Sequence, residues 1–167
     1  STTPEIVALR SKIEQLMGTP AAPASNPIRV LLNLHASHEV AYPFHFQHAA
    51  NAGFNLVSSR SGVIPIVNQI EGQWIAAFRA RSPFTARGTT QSSTVGAPTR
   101  PFVESMMHDR WTIDPLWTSN GQSPVMAITY EGTYGRGPDG VTWNTAADYR
   151  RVGAELGRAL ADYFGLQ

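Results

Sequence analysis

Four periodic stretches organise the hydrophobic positions of this chain. From Pro4 to Met17, the residues Ile6, Leu9, Ile13 and Leu16 recur at helical spacing. Thr3 stands as a candidate cap, Pro4 suits the first helical position, and Gly18 is a natural stop. The next segment, GTPAAPASNP, has three prolines and no large side chain, so it reads as a surface connection. Ile28 to Leu34 is a short apolar run broken only by Arg29 and Asn33, the pattern of a strand buried under cover on both faces. Pro124 to Thr129 is a second such run. The chain closes with an amphipathic helix. Thr145 and Asp148 form a capping box, Tyr149, Val152, Leu156, Leu160 and Phe164 make the apolar side, and Gly165 is the stop.

Between these stretches the pattern is weaker. Val40 to Ile70 is almost uncharged, with Arg60 as its single Lys, Arg, Asp or Glu, which suits a segment that packs inside or lines a pocket. Val63 to Ile70 fits helix or strand, with Pro65 tolerated only near a helix start, and Gln73 to Phe78 reads as a short strand. Ser82 to Pro101 is rich in Ser, Thr, Gly and Pro and is expected to be a long surface loop, either a substrate-facing lid or an insertion. Helices alternating with apolar strands predict an α/β fold, part of a mostly parallel or mixed twisted sheet flanked by helices, with residues 1–167 as a single domain.

Composition narrows the function. Of the 167 residues 15% are charged, against about 25% for ordinary soluble domains, and the net charge is +1. Lys12 is the one lysine and the arginines are scattered, so there is no stripe for nucleic acid. No apolar run reaches the length of a membrane span. The absence of cysteine removes thiolate catalysis, disulfides and Cys-ligated zinc, while leaving the compartment open, a secreted or periplasmic location included.

Candidate chemistry gathers in IRVLLNLHASHEVAYPFHFQH, which holds four of the five histidines. His35 falls where the first strand is expected to end and Glu131 just past the second. In open α/β sheets ligands bind at the carboxyl ends of strands, so parallel neighbours would bring the two side chains to one crevice. His35 is a candidate metal ligand or an ordinary structural histidine. Glu131 is a candidate general base, or a carboxylate paired with an arginine or capping a loop. His38 and Glu39 offer acid-base alternatives, and His45 and His48 would share one side if their segment were helical. An amine-activated Ser1 nucleophile is a further possibility.

LHASHEVAYPFHF and MAITYEGTYGR resemble the second half of the catalytic domain of an M14-class zinc carboxypeptidase. TTPEIVALRSKI resembles the helix that precedes the histidine strand in that class, and RPFVESMMHDRW and WNTAADYRRVGAELGRALADYF fit a bacterial branch of it. The resemblance implies a zinc carboxypeptidase-like fold, Zn2+ as cofactor, a peptide or peptide-like amide as substrate, His35 as the late zinc ligand and Glu131 as the catalytic glutamate. Tyr42, Tyr130 and Tyr134 are the candidates for the tyrosine that closes over substrate. The family's earlier HxxE motif is missing, because the third residue after each histidine is never Glu. The resemblance therefore implies a separate N-terminal companion chain carrying HxxE, whose C-terminal end once preceded Ser1. The alternative is a noncatalytic interaction protein that retains part of the fold.

Overall fold

Pro4–Met17 forms α1, with Pro4 in its first turn and Gly18, at φ 72°, closing it. The computed structural model describes residues 3–37, 44–47, 65–82, 90–92, 103–133, 135, 139 and 141–166. Only part of the expected apolar stripe on α1 is buried: Ile13 and Met17 face the core, while Ile6, Leu9 and Leu16 remain exposed. The connection after α1 is more ordered than its composition suggests. Gly18–Thr19 (β1) and Ala22–Pro23 (β2) pair antiparallel around a tight turn. A β-carbon on Gly18 would lie 2.5 Å from the Ala22 carbonyl, so the hairpin closes only over glycine.

Among the described residues the main sheet has four strands: Val30–Ser37 (β3), Phe44–Gln47 (β4), Thr90–Ser92 (β5) and Met126–Thr133 (β6), in the order β3-β6-β4-β5. β4 runs antiparallel to β6 and parallel to β5, so the sheet is mixed. Both strands begin two residues later than the apolar runs, at Val30 and Met126, and end later still, at Ser37 and Thr133. His35 and Glu131 accordingly lie inside strands, each two residues from the end. The two strands also differ in cover. Val125 through Tyr130 are buried, as a central strand requires. β3 occupies an edge of the sheet, with Leu34 62% exposed, which corrects the expectation of a strand covered on both faces.

The segment from Gln73 to Phe78 is not a strand. It belongs to α2, Pro65–Arg81, a helix that resolves the ambiguity of Val63 to Ile70 by starting at its proline. Val67, Ile70, Trp74, Ile75 and Phe78 are all buried, and their spacing of three and four residues fits one helix face where a strand's period of two would split them. Within the expected long loop, Thr90–Ser92 forms β5; the rest of that stretch after Ser82 lies outside the described residues. Val103–Trp111 (α3) and Pro115–Ser119 (α4) precede β6, the latter capped by Asp114, whose side chain accepts the Leu116 N–H. Ala146–Tyr163 is α5, and its capping box is formed as expected.

Two compact units divide the chain. The first contains α1, the hairpin, α3, α4 and the opening residues of β3 and β6. Its core joins Ile13, Met17, Met106, Met107, Trp111, Trp117, Val125 and Ala127. Trp111 also donates its indole N–H to the Gly18 carbonyl at 3.1 Å, which ties α3 to the hairpin. The second unit contains the rest of both strands, β4, β5, α5 and α2 from Asn68 onward. There Trp74 stacks on Phe78 with centroids 5.5 Å apart and meets Tyr163 edge-on, while Phe78 meets Tyr130 edge-on. Among the described residues no helix is long and apolar enough to cross a membrane.

Candidate functional site

The register of β3 against β6 decides whether His35 and Glu131 can act together. At the start of the pair the Met126 N–H donates to the Arg29 carbonyl at 3.1 Å. Further along, a β-carbon at Gly132 would lie 3.6 Å from the His35 carbonyl. The sequence offset is the same at both points, so the strands advance in the same direction. In a parallel ladder an N–H bonds the carbonyl just before its register partner. Met126 is therefore level with Val30, and Glu131 with His35. Register partners present their side chains to the same face of a sheet. The pair that the sequence separates by most of the chain thus stands side by side, His35 exposed on the edge strand and Glu131 half-buried on the central one.

The remaining candidates fare differently. His38, Glu39, His48, Tyr42, Tyr134 and Ser1 lie outside the described residues. The helical premise for His45 and His48 fails, because Phe44–Gln47 is a strand in which His45 is level with Tyr130 on one side and Thr90 on the other. His108 is structural: it is fully buried on α3 and its Nε2 accepts the Ala127 N–H at 3.2 Å. Tyr130 is ruled out as a closing tyrosine. Its side chain alternates to the face opposite Glu131, where it is buried against Phe78, and burial together with the charge of Glu155 raises the pKa of its phenol.

The stretch after β6, YGRGPDGVTW, is turn-rich in sequence, with Gly137, Pro138, Asp139 and Gly140 punctuating it. Gly135, at φ 91°, lies under the indole of Trp143, so that a β-carbon there would sit 2.6 Å from the ring. Its N–H donates to the Tyr149 hydroxyl at 3.0 Å, and its carbonyl accepts the Asn144 N–H. Asp139 staples the turn between them, accepting the Val141 and Thr142 N–H groups at 2.9 Å each and the Thr142 hydroxyl. The Thr142 hydroxyl first, then the backbone groups, hold the Asp139 pKa down at about 2. YGRGPDGVTW contains every residue of this arrangement except Asn144 and Tyr149. Its turn residues were legible, whereas the packing of Trp143 on Gly135 depends on a positive φ that no pattern displays.

A cavity of about 480 Å³ in the first unit, lined by residues that include Glu14, Arg110, Trp111 and Asp114, contains neither His35 nor Glu131. Of its charged walls, Arg110 and Glu14 are paired with each other, and Asp114 caps α4. Among the described residues no group of three or more His, Asp or Glu side chains converges into a metal site.

No protein-family model matches the chain, and no curated protein does. Its fold is similar to the crystal structure of a metallo-carboxypeptidase from Burkholderia cenocepacia, with a TM-score of 0.60 and 12% sequence identity. The match covers 97% of this chain and 34% of that one, so the chain spans about a third of the length of the protein it resembles. The architecture is thus an α/β fold with a mixed sheet and flanking helices, like a carboxypeptidase domain.

Proposed function

We propose that this chain is the part of a zinc-dependent peptidase, or a related amide hydrolase, that carries His35 and Glu131, completed by a separate N-terminal chain bearing HxxE. The reading is carried by one observation: the β3–β6 register sets an exposed imidazole beside a half-buried carboxylate on one sheet face. The carboxypeptidase-like fold supports it.

His35 fits zinc as one ligand. An imidazole nitrogen is a standard zinc ligand, and a catalytic site needs three protein ligands and an open position. The other two would come from the companion's HxxE. Bound zinc would supply Lewis-acid polarisation of the scissile carbonyl and a lowered pKa for water. Glu131 takes the proton of the attacking water and passes it to the leaving amine, a role that suits a carboxylate shielded on a central strand yet open on one face.

The test is metal content and hydrolysis of the purified assembly. His35→Ala should remove zinc, whereas Glu131→Gln should retain zinc and lower peptide hydrolysis by at least about a hundredfold, as expected for loss of a general base. An assembly that takes up no metal after zinc supplementation and cleaves no peptide would sink the enzyme reading in favour of a noncatalytic interaction protein.

A further inference from the structure

The two edges of β6 are met by different partners where the strand opens. Met126 turns its N–H to β3 and bonds the Arg29 carbonyl. Successive N–H groups of a strand point to opposite edges, so those of Val125 and Ala127 point away from β3, to the edge on which β4 pairs with Thr129 to Glu131. At Val125 and Ala127 that edge is met by side chains from α3 and the residue that follows it. Thr112 donates its hydroxyl to the Val125 carbonyl at 2.7 Å and accepts the Val125 N–H at 3.2 Å. His108, four residues before Thr112, accepts the Ala127 N–H on Nε2 at 3.2 Å. All four residues are at most 2% exposed and belong to the first unit.

The two contacts answer differently to acid. A threonine hydroxyl donates and accepts at any pH. An imidazole accepts on Nε2 only as the neutral tautomer that carries its proton on Nδ1, so a second proton has to go to Nε2. It would set one donor against another, the new N–H against that of Ala127, in a site closed to water. The charged groups around His108 bear on the pH at which this happens. α3 itself carries Glu104 and Asp109, both buried. Val125 to Ile128 bring no charge, α1 carries a half-buried Arg10 with Glu5, Lys12 and Glu14 exposed, and Arg29 ahead of β3 is exposed. The parts of this unit outside the described residues, 48–64 and 94–102, contain no Asp or Glu. The two buried carboxylates on α3 help to set the midpoint, and they do not alter what protonation of Nε2 does to the Ala127 bond.

We propose that His108 is an acid-released latch on the opening of β6: neutral, it holds the Ala127 N–H to α3, and protonated, it lets that group go while Thr112 still clasps Val125. The hold is complete above the titration of His108 and is lost as pH falls through it. The released segment leads into Glu131 four residues on, and the latch depends on no catalytic role for that residue.

Amide hydrogen exchange of the full chain, followed residue by residue by NMR and corrected for intrinsic rates, tests the latch. Between about pH 7.5 and about pH 5, on either side of the ordinary histidine value of about 6.5, the protection of the Ala127 amide should fall about tenfold more than that of Met126, whose bond to the Arg29 carbonyl involves no titrating group. Over the same range the imidazole nitrogen resonances of His108 should pass from a bare to a protonated Nε2, with Nδ1 protonated throughout. His108→Gln supplies a carbonyl acceptor that does not titrate, and Ala127 should then be protected equally at both pH values. If that variant fails to fold, the resonances and exchange of the unsubstituted chain still decide. Ala127 and Met126 losing protection together, an Nε2 already protonated at neutral pH, a His108 that stays neutral until the whole chain unfolds, or a pH response that survives in His108→Gln would each overturn the proposal. None of these readouts involves zinc or hydrolysis, so the latch and the peptidase reading stand or fall separately.

Discussion

At the scale of single residues, the loop after β6 shows how one carboxylate can organise a surface. Asp139 accepts three hydrogen bonds within the turn and its pKa falls from the ordinary value of 3.8 to about 2, with the Thr142 hydroxyl as the largest cause. A folded-state pKa below the unfolded one adds stability that is complete above the unfolded value. That stability is lost as pH falls through the folded value, so the vulnerable window for this turn runs from 3.8 down to about 2. NMR titration of the Asp139 carboxyl should give a midpoint near 2, and iodide access to Trp143 should rise across the same window. Asp139→Ala should show the raised access already at neutral pH. A midpoint at 3.8 would mean that the staple contributes nothing. None of this could be read from the letters PDGVTW beyond the presence of a turn. His35 and Glu131 stood out because each followed an apolar run, and the structure sets both inside strands, since β3 and β6 run on to Ser37 and Thr133. Their register is a property of two strands, and no single stretch of sequence carries it.

The elements divide according to how much of their signal is local. α5 was fully legible at its N-terminus, since a capping box is written in residues three apart: Thr145 accepts the Asp148 N–H at 3.3 Å, and Asp148 accepts the Thr145 N–H at 2.8 Å. Its buried face was less so. The most buried positions are Glu155 and Ala159, whereas Tyr149 and Phe164 at the ends of the expected stripe are exposed. Glu155 is tolerated there beside Arg151, 3.5 Å away one helical turn earlier, and a pattern of apolar letters cannot include it. α2 failed for a similar reason. Glu71 and Ser82 are buried along with its aromatic residues, which obscures the helical period that Val67, Ile70, Trp74 and Phe78 define. Its C-terminus is fixed by a long-range pair, Arg81 to Asp162 of α5 at 2.5 and 2.8 Å, and the arginine lowers the Asp162 pKa. The capping contribution is measurable in isolation. Thr145→Ala should cost about 1 kcal/mol of stability in chemical denaturation, and Thr145→Ser should restore most of it. Equal midpoints for all three proteins would show that α5 is held by packing alone.

For the whole molecule the informative feature is the edge on which the candidate site lies. β3 ends the strand order, it carries His35, and Leu34 beside it is 62% exposed. An edge strand with an exposed leucine presents apolar surface at the side of a sheet, which natural sheets usually blunt with charge, proline or cover. None of Val30 to Ser37 is charged or proline. Such an edge is suited to receiving another strand, with backbone bonds giving affinity and alternate side chains giving selectivity. If the companion proposed to carry HxxE adds its strand here, one association would cover the edge and bring the missing ligands beside His35. Native mass spectrometry of the protein from its source should then show two polypeptides that separate on denaturation. Leu34→Lys should block that association by placing a strongly hydrated charge in the new interface, while leaving the fold of this chain unchanged by circular dichroism. Loss of zinc should accompany loss of the companion, even though His35 and Glu131 are untouched. A protein that retains both companion and zinc with lysine at position 34 would place the interface elsewhere. A folded lone chain in the native preparation would shift the weight to the noncatalytic reading.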